Sequence, residues 1–219
     1  MIWFIVAYAV LLFTYFITET SGKMYLRAPN KIILASMFLI FAIIQFQKYQ
    51  FLSYHLILMV ALFLAWMGDV FLLIDLNRGG DFFLCGNVAF VVYYLATLVS
   101  GGQSFGDFWW VLIPWAVLLG TFILLANKFP KVLKLGKMKG PMTLYLGSII
   151  LHGMMGLALI ILLPGSPAAL MGLGALLFMI SDFILTIDKF VILHNKWILR
   201  ANSLFYFVGM LLIVLSMAL

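Results

Sequence analysis

The sequence predicts an all-α, polytopic membrane bundle of eight transmembrane helices, and three observations carry that prediction. The chain is 66% hydrophobic and only 9% charged, whereas soluble domains carry roughly 25% charged residues. Its apolar residues come in stretches of about 17 to 22, the length a helix needs to cross roughly 30 Å of hydrocarbon. Lys and Arg gather between those stretches. Alternating polar and apolar segments of about ten residues, the pattern of an outer-membrane barrel, do not appear.

The spans follow in order. The first, Ile2 to Thr18, has no basic segment before it and no small-residue cleavage site, so it is expected to be a retained span and not a signal peptide. The second runs from Lys31 to Gln47, after "RAPN". The third, Leu56 to Ile74, is closed by the turn formers "NRGGD", and the fourth, Phe82 to Ser100, by "SGGQSFGD". The fifth, Phe108 to Ala126, leads into the basic loop "NKFPKVLKLGKMKGP", a candidate for a short interfacial helix. The sixth, Met142 to Leu163, stops at "PGSP". The seventh and eighth cover Ala168 to Ile187 and Ile198 to Leu219. Residues 1–219 thus read as a single integral membrane domain.

The net charge of +6 belongs to this topology rather than to nucleic acid, which is excluded as a partner. With Lys48 as the lone exception, the 13 Lys and Arg residues fall on one set of alternating loops. The positive-inside rule puts that side in the cytoplasm and both termini outward, in a cell (inner) membrane. One cysteine, Cys85, rules out an intrachain disulfide and reads as a small apolar helix residue.

Two stretches break the apolar rule in the same way. "FLAWMGDVFLLID" (Phe63 to Asp75) and "LLFMISDFILTID" (Leu176 to Asp188) each hold an aspartate, Asp69 or Asp182, among large apolar residues. Each acid follows a small residue, Gly68 or Ser181, and precedes a second aspartate by six positions. Both parent spans travel toward the cytoplasm, and both acids fall five residues before the expected helix end, about 7.5 Å inside. Asp75 and Asp188 then fall at the interface, where solvation explains them. A charge in mid-span costs roughly 2.5–3.5 kcal/mol, so two retained carboxylates at one depth point to function. The competing explanation is interhelical glue, with each acid protonated or bonded to Asn87 or Asn202.

Other polar groups are expected in the same layer: Asn87 in the fourth span, Tyr145 in the sixth, Ser181 beside its acid, and Asn202 in the eighth. Together they suggest a cavity opening to the cytoplasmic leaflet. His152 lies deeper and reads as a packing histidine. Glu19, Lys23, Arg27 and Lys31 flank the first loop at the cytoplasmic surface, where snorkelling explains them. A phosphate headgroup entering from that leaflet needs such a cation, which makes Lys31 a candidate contact. Small residues in "GMMGLA" and "GLGALLF" allow close helix packing.

These residues also carry a resemblance. "GDVFLL" with Gly68 and Asp69, "FFLCGNVAF" with Phe82, Gly86 and Phe90, and "GALLFMISDFILTIDKF" with Ser181 and Asp182 resemble the lysoplasmalogenase family of membrane proteins (YhhN type) over nearly the whole chain. Where that family places a His after the fourth-span Phe, this chain has Tyr93 and Tyr94, and Tyr94 joins the substrate-binding set.

The resemblance implies a hydrolase that cleaves the vinyl ether bond of lysoplasmalogens, releasing a fatty aldehyde and a glycerophospho-base. The substrate, a lysophospholipid, would enter from the cytoplasmic leaflet. Vinyl ether hydrolysis needs one acid and one base, and no metal or cofactor. Two carboxyl groups in one low-dielectric cavity can divide those roles, with Asp69 and Asp182 interchangeable at this level of reading. The alternatives are a proton-coupled carrier, in which membrane carboxylates relay protons, and an intramembrane aspartyl protease. The latter pairs its Gly-Asp with a Tyr-Asp that this chain lacks.

Overall fold

In the computed structural model the described residues are 1–21, 23–49, 54–192 and 195–219, and they are helical almost throughout. Eight long helices carry the fold: α1 (Ile2–Glu19), α2 (Met24–Tyr49), α3 (His55–Phe71), α4 (Leu76–Ser100), α6 (Leu112–Lys128), α7 (Lys139–Leu162), α8 (Pro167–Ile187) and α9 (Lys196–Leu215). A short α5 (Phe105–Phe108) leads into α6. Among the described residues seven helical segments are long and apolar enough to cross a membrane, and the protein is an integral, multi-pass membrane protein. The remaining long helix, α3, is apolar but has only 17 residues, about 25 Å at 1.5 Å per residue. Leu72 to Ile74, expected to complete it, form turns instead.

Neighbour follows neighbour around a ring, α1–α2–α3–α4–α7–α8–α9, which closes where α9 meets α1 and α2. Helix α6 stands outside the ring against α7, held by the Trp115 Nε1 bond to the Gly147 carbonyl at 2.8 Å. Phe83, Phe90, Phe178 and Phe207 fill the interior.

Two helices begin earlier than the sequence suggests. Helix α2 starts at Met24 and carries Pro29 inside it; the proline removes one hydrogen bond near the start without stopping the helix. Helix α4 starts at Leu76 because Asp75 caps it, accepting from the backbone N–H groups of Asn77 and Arg78 at 2.7 and 3.3 Å. Asp75 is therefore a capping residue. Gly79, read as a turn former, instead admits the Leu72 backbone, which a Cβ there would meet at 2.8 Å. The basic loop forms a single 3₁₀ turn, Gly136–Met138, in place of a longer interfacial helix.

The small residues act where α8 is clamped. A Cβ on Gly174 would lie 2.5 Å from the Gly209 carbonyl oxygen on α9, and one on Gly209 2.7 Å from that of Gly174. Gly172 and Gly156 make a comparable approach between α8 and α7. Gly174→Val is expected to force α8 from α9 and destabilise the protein by about 1–3 kcal/mol. A thermal midpoint in detergent equal to wild type would refute the clamp.

Candidate active site

Asp69 sits in the last turn of α3, 1% exposed. Its Oδ1 pairs with Lys31 Nζ from α2 at 2.9 Å, and its Oδ2 accepts from Tyr206 Oη of α9 at 2.6 Å. The small residue before it has a packing reason: a Cβ on Gly68 would meet the Phe83 ring at 2.7 Å. Phe83, admitted this way, packs edge-on against Tyr206, with ring centroids 5.9 Å apart at 89°. Gly68 thus lets in the ring that seats the tyrosine holding the acid.

Asp182, on α8, is served differently. Tyr145 Oη of α7 donates to its Oδ2 at 2.5 Å, and Ser181 Oγ approaches Oδ1 at 3.5 Å while donating chiefly to the Phe178 carbonyl at 2.7 Å. No cation lies within ion-pair distance of Asp182 among the described residues. One acid therefore carries a counter-ion and the other has only neutral donors.

Both acids line one cavity of about 210 Å³, bounded also by Glu19, Arg27, Lys31, Asn202, Ser203 and Tyr206. A second cavity of about 630 Å³ adjoins it, with a largely apolar wall that includes Leu84, Met142, Leu144 and Phe190, and with Tyr145 on its surface. Leu72, Leu76, Phe83, Leu185 and Lys189 belong to both walls. A polar chamber that holds both carboxyl groups thus shares a wall with an apolar one, and Tyr145, on the apolar side, bonds Asp182 on the polar side.

Several expectations about position need correcting. Lys31 does not snorkel at a helix start: α2 begins seven residues earlier, and the side chain is buried against Asp69. Nor is Glu19 a surface residue. It is 4% exposed, and its Oε1 accepts from Tyr15 Oη at 3.0 Å and from Ser203 Oγ at 2.5 Å. Asp188, expected in solvent, is 1% exposed. It lies in a π-helical turn, Asp188–Ile192, where its Oδ1 accepts from the Asn195 N–H at 3.2 Å and Lys189 Nζ stands 3.7 Å from Oδ2. Asp69 is two residues from the end of its helix and Asp182 five from the end of its own, yet the two share a chamber.

Of the candidate binding residues, Lys31, Tyr145 and Asn202 line the cavities, and Ser181 is buried beside Asp182. Asn87 and Tyr94 do not line them. Asn87 Nδ2 donates to Ser148 Oγ at 3.2 Å between α4 and α7. Tyr94 Oη lies 3.3 Å from His152 Nε2 in the core, and the His152 ring also packs edge-on against Phe90 and Phe178. Among the residues missed were Tyr206, Ser203, Glu19 and Arg27. A signal for the first two existed, since polar residues 202, 203 and 206 recur at helical spacing on α9.

A YhhN family model matches residues 26–217. The chain belongs to the YhhN family. No curated protein and no solved structure matches it. The YhhN match runs from α2 to the end of α9 and includes both aspartates, Lys31, Tyr145 and Tyr206. Tyr15 and Glu19, on α1, lie outside it. Membership in this lysoplasmalogenase-like family and the helical bundle describe a membrane-embedded protein that acts among lipids.

Proposed function

We propose that the protein hydrolyses the vinyl ether bond of a lysoplasmalogen-type lysophospholipid, with Asp182 as acid and Asp69 as base. The observation that carries this reading is the polar chamber lined by both carboxyl groups, which shares a wall with the apolar chamber. An amphiphile with its chain in the apolar chamber and its glycerophospho end in the polar one would bring its ether linkage across that shared wall, into the chamber that Asp69 and Asp182 line.

The roles follow from the partners. An ammonium at 2.9 Å favours an ionised Asp69, whereas Asp182 has hydroxyl donors alone and is the cheaper of the two to keep protonated in a dry site. The Asp182 proton passes to the β-carbon of the alkene, whose π pair forms the new C–H bond and leaves an oxocarbenium at the α-carbon. Asp69 takes a proton from water as the water oxygen bonds to that carbon. The hemiacetal then loses its C–O bond to the glycerol: Asp182, now ionised, takes its hydroxyl proton as the C=O forms, and Asp69 gives its proton to the leaving oxygen. The products are a fatty aldehyde and a glycerophospho-base, with both carboxyl groups restored to their starting states.

Incubating the purified protein with vinyl ether, alkyl ether and ester lysolipids tests the reading. Aldehyde is expected from the vinyl ether alone, because the saturated ether has no alkene carbon to protonate. If no lysolipid is cleaved, and loss of either acid abolishes a pH-driven flux in proteoliposomes, the protein is instead a proton-coupled carrier.

The same proposal takes α3 as an eighth span and places the Lys- and Arg-rich loops in the cytoplasm, the substrate in the cytoplasmic leaflet of the cell (inner) membrane, and both termini outward. Reporters fused after Leu219 should be active only outside the cytoplasm. A C-terminal fusion active only inside it would overturn this topology.

A further inference from the structure

The polar chamber holds a third carboxylate that neither the acid nor the base step uses. Glu19 is almost wholly buried. Tyr15 and Ser203 both donate to its Oε1, while Oε2 is buried without a hydrogen-bond partner among the described residues. Asn202 Oδ1, on the same wall, is also without one. Both orphaned atoms are acceptors; on the same wall Arg27 Nε is a buried donor without a partner among the described residues. Leaving a buried acceptor unsatisfied is costly, more so for a charged group, so Glu19 Oε2 is placed to take a donor from a ligand.

The position of Glu19 selects among donors. Ser203, which holds Glu19, and Tyr206, which holds Asp69, are three residues apart on α9, about 4.5 Å along the helix axis. The residues that hold Glu19 and the base thus lie within one turn of each other on α9, and both acids line the same chamber. In a lysolipid, the donor nearest the ether oxygen is the free hydroxyl on the adjacent glycerol carbon. A headgroup ammonium lies several bonds further away, beyond the phosphate.

Resting on the lysolipid reading above, we propose that Glu19, with Asn202 beside it, is the subsite that accepts the free glycerol hydroxyl and thereby selects lysolipids over their diacyl counterparts. A diacyl lipid has that oxygen esterified. It brings no donor and leaves Glu19 Oε2 unpaired, and sites built to bond a substrate hydroxyl discriminate strongly against analogues that lack it.

Binding of saturated 1-alkyl lysolipids, which cannot be cleaved by this chemistry, tests the subsite separately from the reaction. The ligands are the 1-alkyl lysophosphoethanolamine, its 2-deoxy analogue, and the 1-alkyl lysophosphatidic acid, which lacks the amine. Wild type is expected to bind the hydroxyl-bearing ethanolamine lipid at least tenfold more tightly than the 2-deoxy analogue. Glu19→Ala should erase that preference by weakening the hydroxyl lipid to the level of the analogue, and should weaken the lysophosphatidic acid by the same factor. Glu19→Gln, which keeps one carbonyl acceptor and the side-chain length, should retain part of the preference. A preference unchanged in Glu19→Ala would overturn the proposal, as would equal weakening of hydroxyl and 2-deoxy lipids in both variants. Weakening confined to the ethanolamine lipid would assign Glu19 to the ammonium instead. A wild type that shows the preference yet releases no aldehyde would disprove the hydrolase reading and leave the subsite standing.

Discussion

Asp182→Asn is expected to fold and to lose turnover of the vinyl ether by about 10²–10⁴, the range for removing a general acid. The amide matches the carboxyl in shape and can still accept from Tyr145, so the 2.5 Å contact has a successor. What it cannot do is give a proton to carbon. Turnover near wild type in a variant shown to be folded would exclude Asp182 from the chemistry. Tyr145→Phe removes only the hydroxyl and is expected to cost less than the loss of the acid, which separates orientation from proton transfer.

Lys31→Met is expected to have the largest effect on stability. It strips the counter-ion from a carboxylate that is 1% exposed, and breaking a buried pair by removing one partner costs about 3–5 kcal/mol. Asp69→Asn strands the ammonium in the same way and is expected to destabilise the fold, whereas Asp182→Asn leaves no counter-ion unpaired. The double variant Lys31→Met/Asp69→Asn removes both charges and should regain most of the lost thermal midpoint while remaining inactive. Additive losses in the double variant would show that the two side chains do not act as a pair.

The sequence revealed the acids and hid their partners for a physical reason. Asp69 and Asp182 were legible because a carboxyl among large apolar residues is costly wherever the helix ends fall. Lys31 and Glu19 were not, because each was placed at a helix end, where charge is ordinary. Pro29 argued for a late start to α2, and the helix runs through it. The same kind of error moved Asn87. With α4 starting at Leu76, Asn87 is eleven residues in, about 16 Å along the axis, a turn behind the Phe83 wall rather than on it. Depth counts inherit any mistake in a cap, and the cap on α4 is Asp75, an acid that had already been explained as solvated. The close helix packing was readable from the glycines of α7 and α8, whereas Gly209, their partner on α9, shows its role only once the helices meet.

Helix α9 closes the ring with bonds to the earliest part of the chain. Tyr8 Oη donates to the Phe207 carbonyl at 2.9 Å, Arg200 reaches Thr20 Oγ1 at 2.9 Å, and Ser203 and Tyr206 serve Glu19 and Asp69. During synthesis the ribosome delivers α1, α2 and α3 long before α9. The Lys31–Asp69 pair needs only α2 and α3 and can neutralise its charges as soon as that hairpin enters the bilayer. Glu19 must wait, because Ser203 is nearly the whole chain away. The nascent protein therefore neutralises Asp69 early and completes its polar chamber only when α9 arrives.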